Sequence, residues 1–474
     1  MRTPIAQRQL ASARPAASEE YVALGRISQS SFESSRSAPE GEDDEDDEDN
    51  EDDEDENDGF PTLGLRASND LEGGSCEAWK VLLGVWLVDF MTSGVWVAFG
   101  IFQSYYVDKS QFSSSTGIPT IGTLLGGTAW IATPLTNAVV IRYPERRIHM
   151  LWLGWVFCLA GLFLASFATE VWHLELFQGF TYGVGWVTYW SPMMVIMNEW
   201  WLEHRGLAYG IWFTASNASG FCMPFLVQKC LEKYGFRVTL RLYALLSVFI
   251  AGPGMLLIRS RPKHPFSAAS PRKRAFFPLD KEVLRNKHLY IYAVSIFLQS
   301  LVYIIPSIFL PSIAEALNLS PSSGSILLAI SSGATICGQI TFGFLSDRLH
   351  PYINLSVSSL ISSVAAFFIL GQATGMAHLS LFAAIWGLFA GSYDVLFARV
   401  CSVLSTDPDA AITLYGFLSF ERGVSVLLEG PISDALLGVD AEGFGRYHAL
   451  IQLAAWCMLA SSLGGLGWFY LGKG

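Results

Sequence analysis

The stretch of sequence that decides the fold spans residues 80–103 and reads KVLLGVWLVDFMTSGVWVAFGIFQ. Its only charged side chains are Lys80, at the first position, and Asp89. A helix needs about 20 mostly apolar residues to cross the roughly 30 Å hydrocarbon core of a bilayer. The sequence therefore predicts a membrane-spanning helix here, with one carboxyl group at bilayer depth.

Further apolar stretches of similar length follow along the chain. Together with the first they give twelve predicted spans, at residues 80–103, 117–141, 148–168, 172–197, 206–228, 238–259, 289–313, 322–345, 353–371, 379–400, 411–437 and 447–471. A long loop rich in Pro, Lys and Arg, residues 260–288, separates the sixth span from the seventh. Six spans on each side of a linker are typical of two bundles related as repeats. We therefore predict an all-α integral membrane protein with twelve transmembrane helices in two six-helix bundles, residues 79–259 and 289–474.

The composition excludes an ordinary soluble domain. Of 474 residues, 51% are hydrophobic and only 15% are charged, whereas soluble domains average roughly a quarter charged residues. The seven Cys are scattered, without the spacing of metal ligands. No HExxH, GxSxG or P-loop pattern occurs. The sequence therefore predicts no metal site, no cofactor, no enzymatic activity and no nucleic-acid partner, and any active transport would use an ion or solute gradient.

The acidic charge is concentrated near the N-terminus. Residues 1–78 hold 22 of the 42 acidic residues, and positions 42–56 are all Asp or Glu except Asn50. A block of like charges this dense cannot collapse into a core. We predict a disordered, cytosolic acidic tail over residues 1–78, which is either a solvated spacer or a docking or trafficking element.

The positions of Lys and Arg predict the orientation in the membrane. With the tail in the cytosol, the inner loops carry 16 Lys and Arg and the outer loops carry 6. Cytosolic loops of membrane proteins carry an excess of positive charge, so both termini and the basic linker, residues 260–288, should be cytosolic. The sequon Asn318-Leu319-Ser320 then lies in an outer loop, and Asn318 is a candidate glycosylation site.

Four polar side chains within predicted spans are candidates for a substrate or proton pathway: Asp89, Gln299, Asp394 and Arg422. An ionisable group at bilayer depth costs at least about 2.5 kcal/mol on insertion scales, so each needs a partner, a water-filled cavity or a function. Asp89 and Asp394 could carry a proton or could be structural carboxyl groups. Arg422 could hold an anionic substrate or pair with an internal carboxylate, because a guanidinium binds carboxylates in a two-donor geometry.

The loop between the eighth and ninth spans contains Gly343-Phe344-Leu345-Ser346-Asp347-Arg348, which resembles the GxLxDR signature of the major facilitator superfamily. The resemblance implies a conformational latch in which Gly343 lets helices touch, while Asp347 and Arg348 form charge pairs that hold the outward-facing state. The equivalent turn after the second span, residues 137–147, keeps three Arg but lacks the Asp.

Three further motifs resemble the monocarboxylate-transporter-like branch of that superfamily in its fungal form. They are FGIFQSYY at residues 99–106, NEWWLEHRGLAYG at residues 198–210, and Arg422-Gly423 followed by GPIS at residues 430–433. The chain departs from animal lactate carriers, because its first span has no late Lys and Gln339 stands where many relatives have Arg. Classical symport of lactate and a proton is therefore not expected.

The resemblance implies a secondary transporter that moves a small organic solute by alternating access, with the solute, the lipid bilayer and a co-transported proton as partners. We expect a fungal secondary metabolite or organic acid, with export favoured, and the plasma membrane rather than the vacuole. The alternatives are a monocarboxylate uptake permease and a non-transporting sensor. A larger amphipathic solute is favoured by aromatic residues in the spans expected to line a cavity: Trp96, Trp186, Tyr189, Trp190, Tyr303, Trp386 and Tyr393.

A deletion tests the role of the acidic tail. Removing residues 42–56 should leave transport per inserted molecule unchanged, because a solvated spacer makes no contact with the spans. Transport and surface abundance are measured in the same cells. Lost transport at equal abundance would mean that the acidic run takes part in function, and lower abundance alone would assign it to trafficking.

Overall fold

The computed structural model describes residues 75–109, 112, 117–201, 204–261, 277, 284–320, 323–405, 407–437 and 443–471. Regular structure in this part of the chain is helical throughout. We number the main α-helices α1 (Cys76–Val97), α2 (Phe99–Lys109), α3 (Ile118–Ile131), α4 (Thr133–Arg142), α5 (Arg147–Ala165), α6 (Val171–Leu174), α7 (Tyr182–Trp200), α8 (Arg205–Leu257), α9 (Lys287–Val302), α10 (Ile305–Ala316), α11 (Ser323–Arg348), α12 (Pro351–Val364), α13 (Met376–Ala390), α14 (Tyr393–Leu404), α15 (Pro408–Leu436) and α16 (His448–Leu471). Two π-helical segments, Glu175–Thr181 and Ala365–Leu370, continue α6 into α7 and extend α12.

The twelve predicted spans all coincide with helical backbone, and the all-α prediction is confirmed. Within the described ranges, seven helical stretches are individually long and apolar enough to cross a membrane, or eight when α3 and α4, bent by 41°, count as one span. This number is below twelve partly because α8, with 53 residues, holds both the fifth and the sixth predicted spans. In addition, α9 and α10 share the seventh span and have only 16 and 12 residues.

Gly235 divides α8 into two helices. Its φ of 73° and ψ of 172° are not helical, and a residue with a Cβ rarely adopts this conformation. The break falls between the fifth and sixth predicted spans, so the chain reverses direction there without an extended loop.

The predicted domain boundaries fall largely at the edges of the described residues. Helix α1 begins at Cys76, where the Ser75 hydroxyl accepts a 3.3 Å hydrogen bond from the Ala78 N–H and caps the helix. The rest of the predicted tail, and most of the linker at residues 260–288, lie outside the described residues. The division of the remaining chain into bundles at residues 79–259 and 289–474 stays a prediction.

Several spans are interrupted rather than straight. The first, second, seventh and tenth predicted spans break at Ala98, Ala132, Tyr303–Ile304 and Gly391–Ser392. Pro134 and Pro306 stand at the second positions of α4 and α10, where a residue without an N–H starts a helix and cannot continue the preceding one. Broken helices at membrane depth are tolerated where they border protein or a water-filled cavity.

Helices α8 and α11 touch backbone to backbone through glycines. A Cβ added to Gly343 would lie 2.6 Å from the carbonyl oxygen of Gly206, and one added to Gly210 would lie 2.5 Å from the carbonyl oxygen of Gln339. No larger residue fits at these positions without separating the helices. This contact joins the fifth predicted span to the eighth.

Asn318 ends α10 in the left-handed conformation, with φ of 57°. Asn is one of the few residues other than Gly that adopts it at helix ends, and its N–H donates a 2.8 Å hydrogen bond to the carbonyl oxygen of Glu315. Asn318 and Ser320 are both exposed, so the sequon forms an accessible turn. By contrast, Asn354 of a second sequon is only 2% exposed.

We expect Asn318 to carry an N-glycan in eukaryotic cells, because an exposed turn on the outer side can enter the glycosylating enzyme. Treatment with an N-glycosidase should increase the gel mobility of the wild-type protein. Asn318→Gln and Ser320→Ala should each abolish this shift, whereas Ser356→Ala, which removes the buried sequon, should retain it. Protease access to the N-terminal tail from outside intact cells would contradict the topology.

Candidate functional site

A cavity of about 870 Å³ lies between the helices. Its lining comes from the first, second, fourth, fifth, seventh, eighth, tenth and eleventh predicted spans. Three of its lining residues, Gln228, Ile308 and Ser325, are exposed and lie toward the end of the molecule predicted to face outward. Helix α11 contributes lining residues from Ser325 to Gln339 and continues beyond the lining to Asp347, near its other terminus, which we call the closed end.

Arg422 and Asp394 form an ion pair within the lining. The Nη1 group of Arg422, on α15, donates to Oδ1 of Asp394, on α14. Arg422 is 8% exposed, and its guanidinium carbon lies 4.9 Å from the centre of the Trp130 ring, a cation–π contact. The sequence left two partners open for Arg422, an anionic substrate or an internal carboxylate. In the structure Arg422 pairs with an internal carboxylate, that of Asp394.

The pair does not use all the donors of Arg422. Its Nε and Nη2 groups make no hydrogen bond to any described residue, yet they retain accessible surface. Because Arg422 lines the cavity, these two donors face the open space. The Asp394 side chain also remains 31% exposed, so the pair presents donors and an acceptor side by side.

Asp89 also lines the cavity, but unlike Asp394 it forms no ion pair with the part of the chain that the structure describes. It is 1% exposed, and neither carboxyl oxygen has a hydrogen-bond partner among the described residues. An ionised carboxylate without partners is far more costly to bury than the neutral acid. Asp89 is therefore a group whose charge depends on access to water.

Gln299, the remaining candidate, is buried in α9 at 1% exposure and is not part of the lining. Its side-chain oxygen has no donor in the described part of the chain. Asp89, Asp394 and Arg422 thus line one cavity, whereas Gln299 does not line it.

Of the seven aromatic residues expected to line a cavity, four do so and three do not. Trp96, Trp186, Trp190 and Tyr303 line the cavity. The expectation was wrong for Tyr189, Trp386 and Tyr393, which are at most 2% exposed and lie elsewhere. Six aromatic lining residues were not singled out from the sequence: Trp130, Phe213, Phe221, Phe225, Phe397 and Tyr415. Helical spacing inside uniformly apolar spans offers no signal for them.

Two amides connect α8 and α11 in the lining. The Asn217 side chain donates a 3.1 Å hydrogen bond to the side-chain oxygen of Gln339. Gln339 in turn donates at 3.4 Å to the carbonyl oxygen of Gly391, at the break between α13 and α14. The one sequence feature that pointed to this pair was Gln339 itself, which stands where many relatives have Arg.

The closed end is organised by Asp347. Its two carboxyl oxygens accept hydrogen bonds of 2.8 and 2.9 Å from the backbone N–H groups of Gly206 and Leu207. These groups belong to the first turn of α8, whose own N-cap residue, His204, makes no side-chain cap. Asp347 therefore caps a helix from another span, where the helix dipole also favours a negative charge.

The rest of the latch motif is arranged around this cap. Gly343 contacts Gly206 and Gly210, and a Cβ on Gly206 would lie 2.1 Å from the Ser346 hydroxyl oxygen. The cation nearest to Asp347 is Arg399, at 3.7 Å. Arg348 instead stacks over the Phe344 ring at 4.3 Å and makes no ion pair within the described residues.

A second contact closes the same end. The Asn137 side chain, on α4, donates a 3.0 Å hydrogen bond to the carbonyl oxygen of Ile412, on α15. A Cβ on Gly416 would lie 3.0 Å from Pro134. The degraded signature after the second span therefore supplies an amide contact in place of a carboxylate cap.

The chain was compared with known proteins. Residues 81–427 match the model of the Major Facilitator Superfamily. An MFS-type transporter, pynF, of Aspergillus niger is 27% identical over 77% of this chain and 83% of its own length. The aspyridones efflux protein apdF of Emericella nidulans is 24% identical over 84% and 78%, and the fujikurins efflux protein of Gibberella fujikuroi is 24% identical over 78% of each chain. Among solved structures, the transporter FucP in the outward conformation has a TM-score of 0.63 at 13% identity, covering 81% of this chain and 98% of FucP.

Removing the Asp347 cap should open the closed end. The cap is worth about 1 kcal/mol, so Asp347→Ala should raise the population of the open state roughly fivefold. Cys401 reports on this, because it is 2% exposed and borders a small pocket at the closed end. In a protein that keeps Cys401 as its sole thiol, Asp347→Ala should increase the rate of maleimide labelling.

Glu145→Ala is the control, since it removes an exposed carboxylate from a turn near the same end. It should leave the labelling rate unchanged. An equal rate in Asp347→Ala and the wild type would mean that the cap does not hold this end closed.

Proposed function

This chain belongs to the Major Facilitator Superfamily, and from that membership we propose that it exports a fungal secondary metabolite across a membrane by alternating access. It is a multi-pass membrane protein and a secondary transporter. The observation that carries the proposal is the cavity of about 870 Å³, which has exposed lining residues toward one end of the molecule and the Asp347 cap toward the other.

The contacts at the closed end suit repeated opening. They consist of a carboxylate on two backbone N–H groups, one amide hydrogen bond and glycine surfaces. Such polar groups can exchange their partners for water when the helices separate, and the apolar cluster of Val140, Ile141, Val195 and Ile412 at this end, which would also have to part, is small. Rocking of the spans about the cavity would then expose it to the cytosol.

The size of the cavity and the relatives support a metabolite as the solute. Pockets for drug-sized ligands occupy roughly 300–1,000 Å³, and this cavity falls in that range. Two relatives are named as efflux proteins for aspyridones and fujikurins. The motifs at residues 99–106 and 198–210 support our further proposal that this chain belongs to the monocarboxylate-transporter-like branch.

Asp89 is the proposed coupling group. Its carboxyl group is buried, with the Trp212 indole as a polar neighbour and no cation among the described residues paired with it, a setting in which the neutral, protonated form is the less costly one. Exposure to cytosolic water in the other state would let the proton leave. Proton entry would thereby drive the outward movement of the metabolite, with both termini cytosolic and the plasma membrane as the proposed location.

Comparative metabolite profiling tests export. Cells lacking the protein should retain a metabolite that wild-type cells release, and inside-out vesicles should accumulate that metabolite when a pH gradient is imposed. Asp89→Asn at equal surface abundance should not restore release, because the amide cannot exchange a proton. Glu170→Gln, which alters an exposed carboxyl group between α5 and α6, should restore it.

Two outcomes would contradict parts of this proposal. Identical metabolite profiles with and without the protein, together with unchanged vesicles, would favour a sensor over a transporter. Full release by Asp89→Asn would leave export standing and remove Asp89 as the proton carrier.

A further inference from the structure

We propose that the cavity binds planar conjugated acids, with the acidic oxygen on Arg422 and the ring system against the indoles of the second and fourth spans. The proposal rests on the proposed function, since it names the chemical class of the exported solute. It is carried by the open donors of Arg422 and by the arrangement of Trp130 and Trp186 beside them.

The guanidinium of Arg422 determines which acidic group of a ligand can bind. Nε and Nη2 of Arg422 lack a protein acceptor and face the cavity, while Nη1 is held by Asp394. Asp394 and the Trp130 ring, 4.9 Å away, fix the guanidinium in place before any ligand arrives. A carboxylate or enolate oxygen is the acceptor that two neighbouring guanidinium donors recognise best.

The indoles of Trp130 and Trp186 favour a ligand with a flat ring system. The centres of the Trp130 and Trp186 rings are 5.9 Å apart, and Trp186 is stacked at 4.6 Å on Trp190, which supports it from behind. Trp130 and Trp186 both line the cavity and are only half-buried. Trp130 thus brings the guanidinium and the Trp186 ring within reach of one small ligand, and a flat ring system is stabilised by stacking against such indoles.

The distribution of charge in the lining disfavours a cation. Arg422 is the one Lys or Arg among the described lining residues, and it neutralises Asp394. The other carboxyl group of the lining, Asp89, has no accessible oxygen surface, so it offers no contact to a ligand in this state. An ammonium group would therefore find indole faces but no free carboxylate.

Binding to the purified full-length protein tests the proposal without requiring transport. The probes are 2-naphthoate, cyclohexanecarboxylate, which has the charge without the aromatic rings, and 2-naphthylmethylammonium, which has the rings with the opposite charge. We expect 2-naphthoate to bind most tightly, as measured by saturation binding of the radiolabelled compounds. Tighter binding of the ammonium compound, or no binding of 2-naphthoate to folded protein, would overturn the proposal.

Substitutions in the lining test whether 2-naphthoate binds at Arg422 and Trp186. Arg422→Lys keeps the charge but loses the planar donors, and should weaken 2-naphthoate roughly tenfold, as expected for a lost charged hydrogen bond. Trp186→Leu should weaken 2-naphthoate by roughly threefold and leave cyclohexanecarboxylate unchanged. Trp456→Leu is the control, because Trp456 is 60% exposed and lies outside the lining.

Thermal unfolding of each solubilised variant separates misfolding from lost binding. Equal 2-naphthoate affinity in folded Arg422→Lys and wild-type protein would also overturn the proposal. Should the probe bind as described while cells export nothing, the binding site would stand and the proposed function would fail.

Discussion

Hydrocarbon offers no hydrogen-bond partners, and this constraint governs the whole molecule. Backbone N–H and C=O groups in a membrane must be satisfied within helices or against other protein groups, which is why the described regular structure is helical. The interruptions are found where that demand is relaxed. Val97, Tyr303 and Asp394 adjoin three of the breaks and line the cavity. The cavity therefore lies where the spans are broken.

Charged side chains obey the same constraint, and two buried Arg residues meet it through ion pairs. Arg422 pairs with Asp394 inside the cavity lining, and Arg147 pairs with Glu199 between the third and fourth spans. Asp89 has no such partner. The buried Glu429 also lacks an ion-pair partner among the described residues, but only Asp89 lines the cavity, and this is why we propose Asp89 as the coupling group.

The closed end is asymmetric in its chemistry. Helix α8 receives its cap from Asp347 of another span, so moving α11 away leaves α8 with unsatisfied N–H groups. Helix α15, in contrast, is capped by its own Asp407, whose carboxyl oxygens accept from Asp409 and Ala410. Opening this end therefore exposes one helix terminus and leaves the other complete. The retained signature therefore stabilises the closed state through a helix cap, whereas its degraded counterpart contributes the single Asn137–Ile412 hydrogen bond.

The sequence by itself determined the spans, because bilayer thickness sets a length and an apolar character that each segment must meet locally. It also identified Asp347, whose motif is contiguous in the chain. Only the tertiary structure decided which face of each span meets the cavity. Gln299 and Tyr189 turn away from it, whereas Trp130, which no sequence pattern marked, lies beneath Arg422. In a bundle surrounded by lipid both faces of a helix are apolar, so the helical periodicity that marks the buried side of a soluble helix is absent.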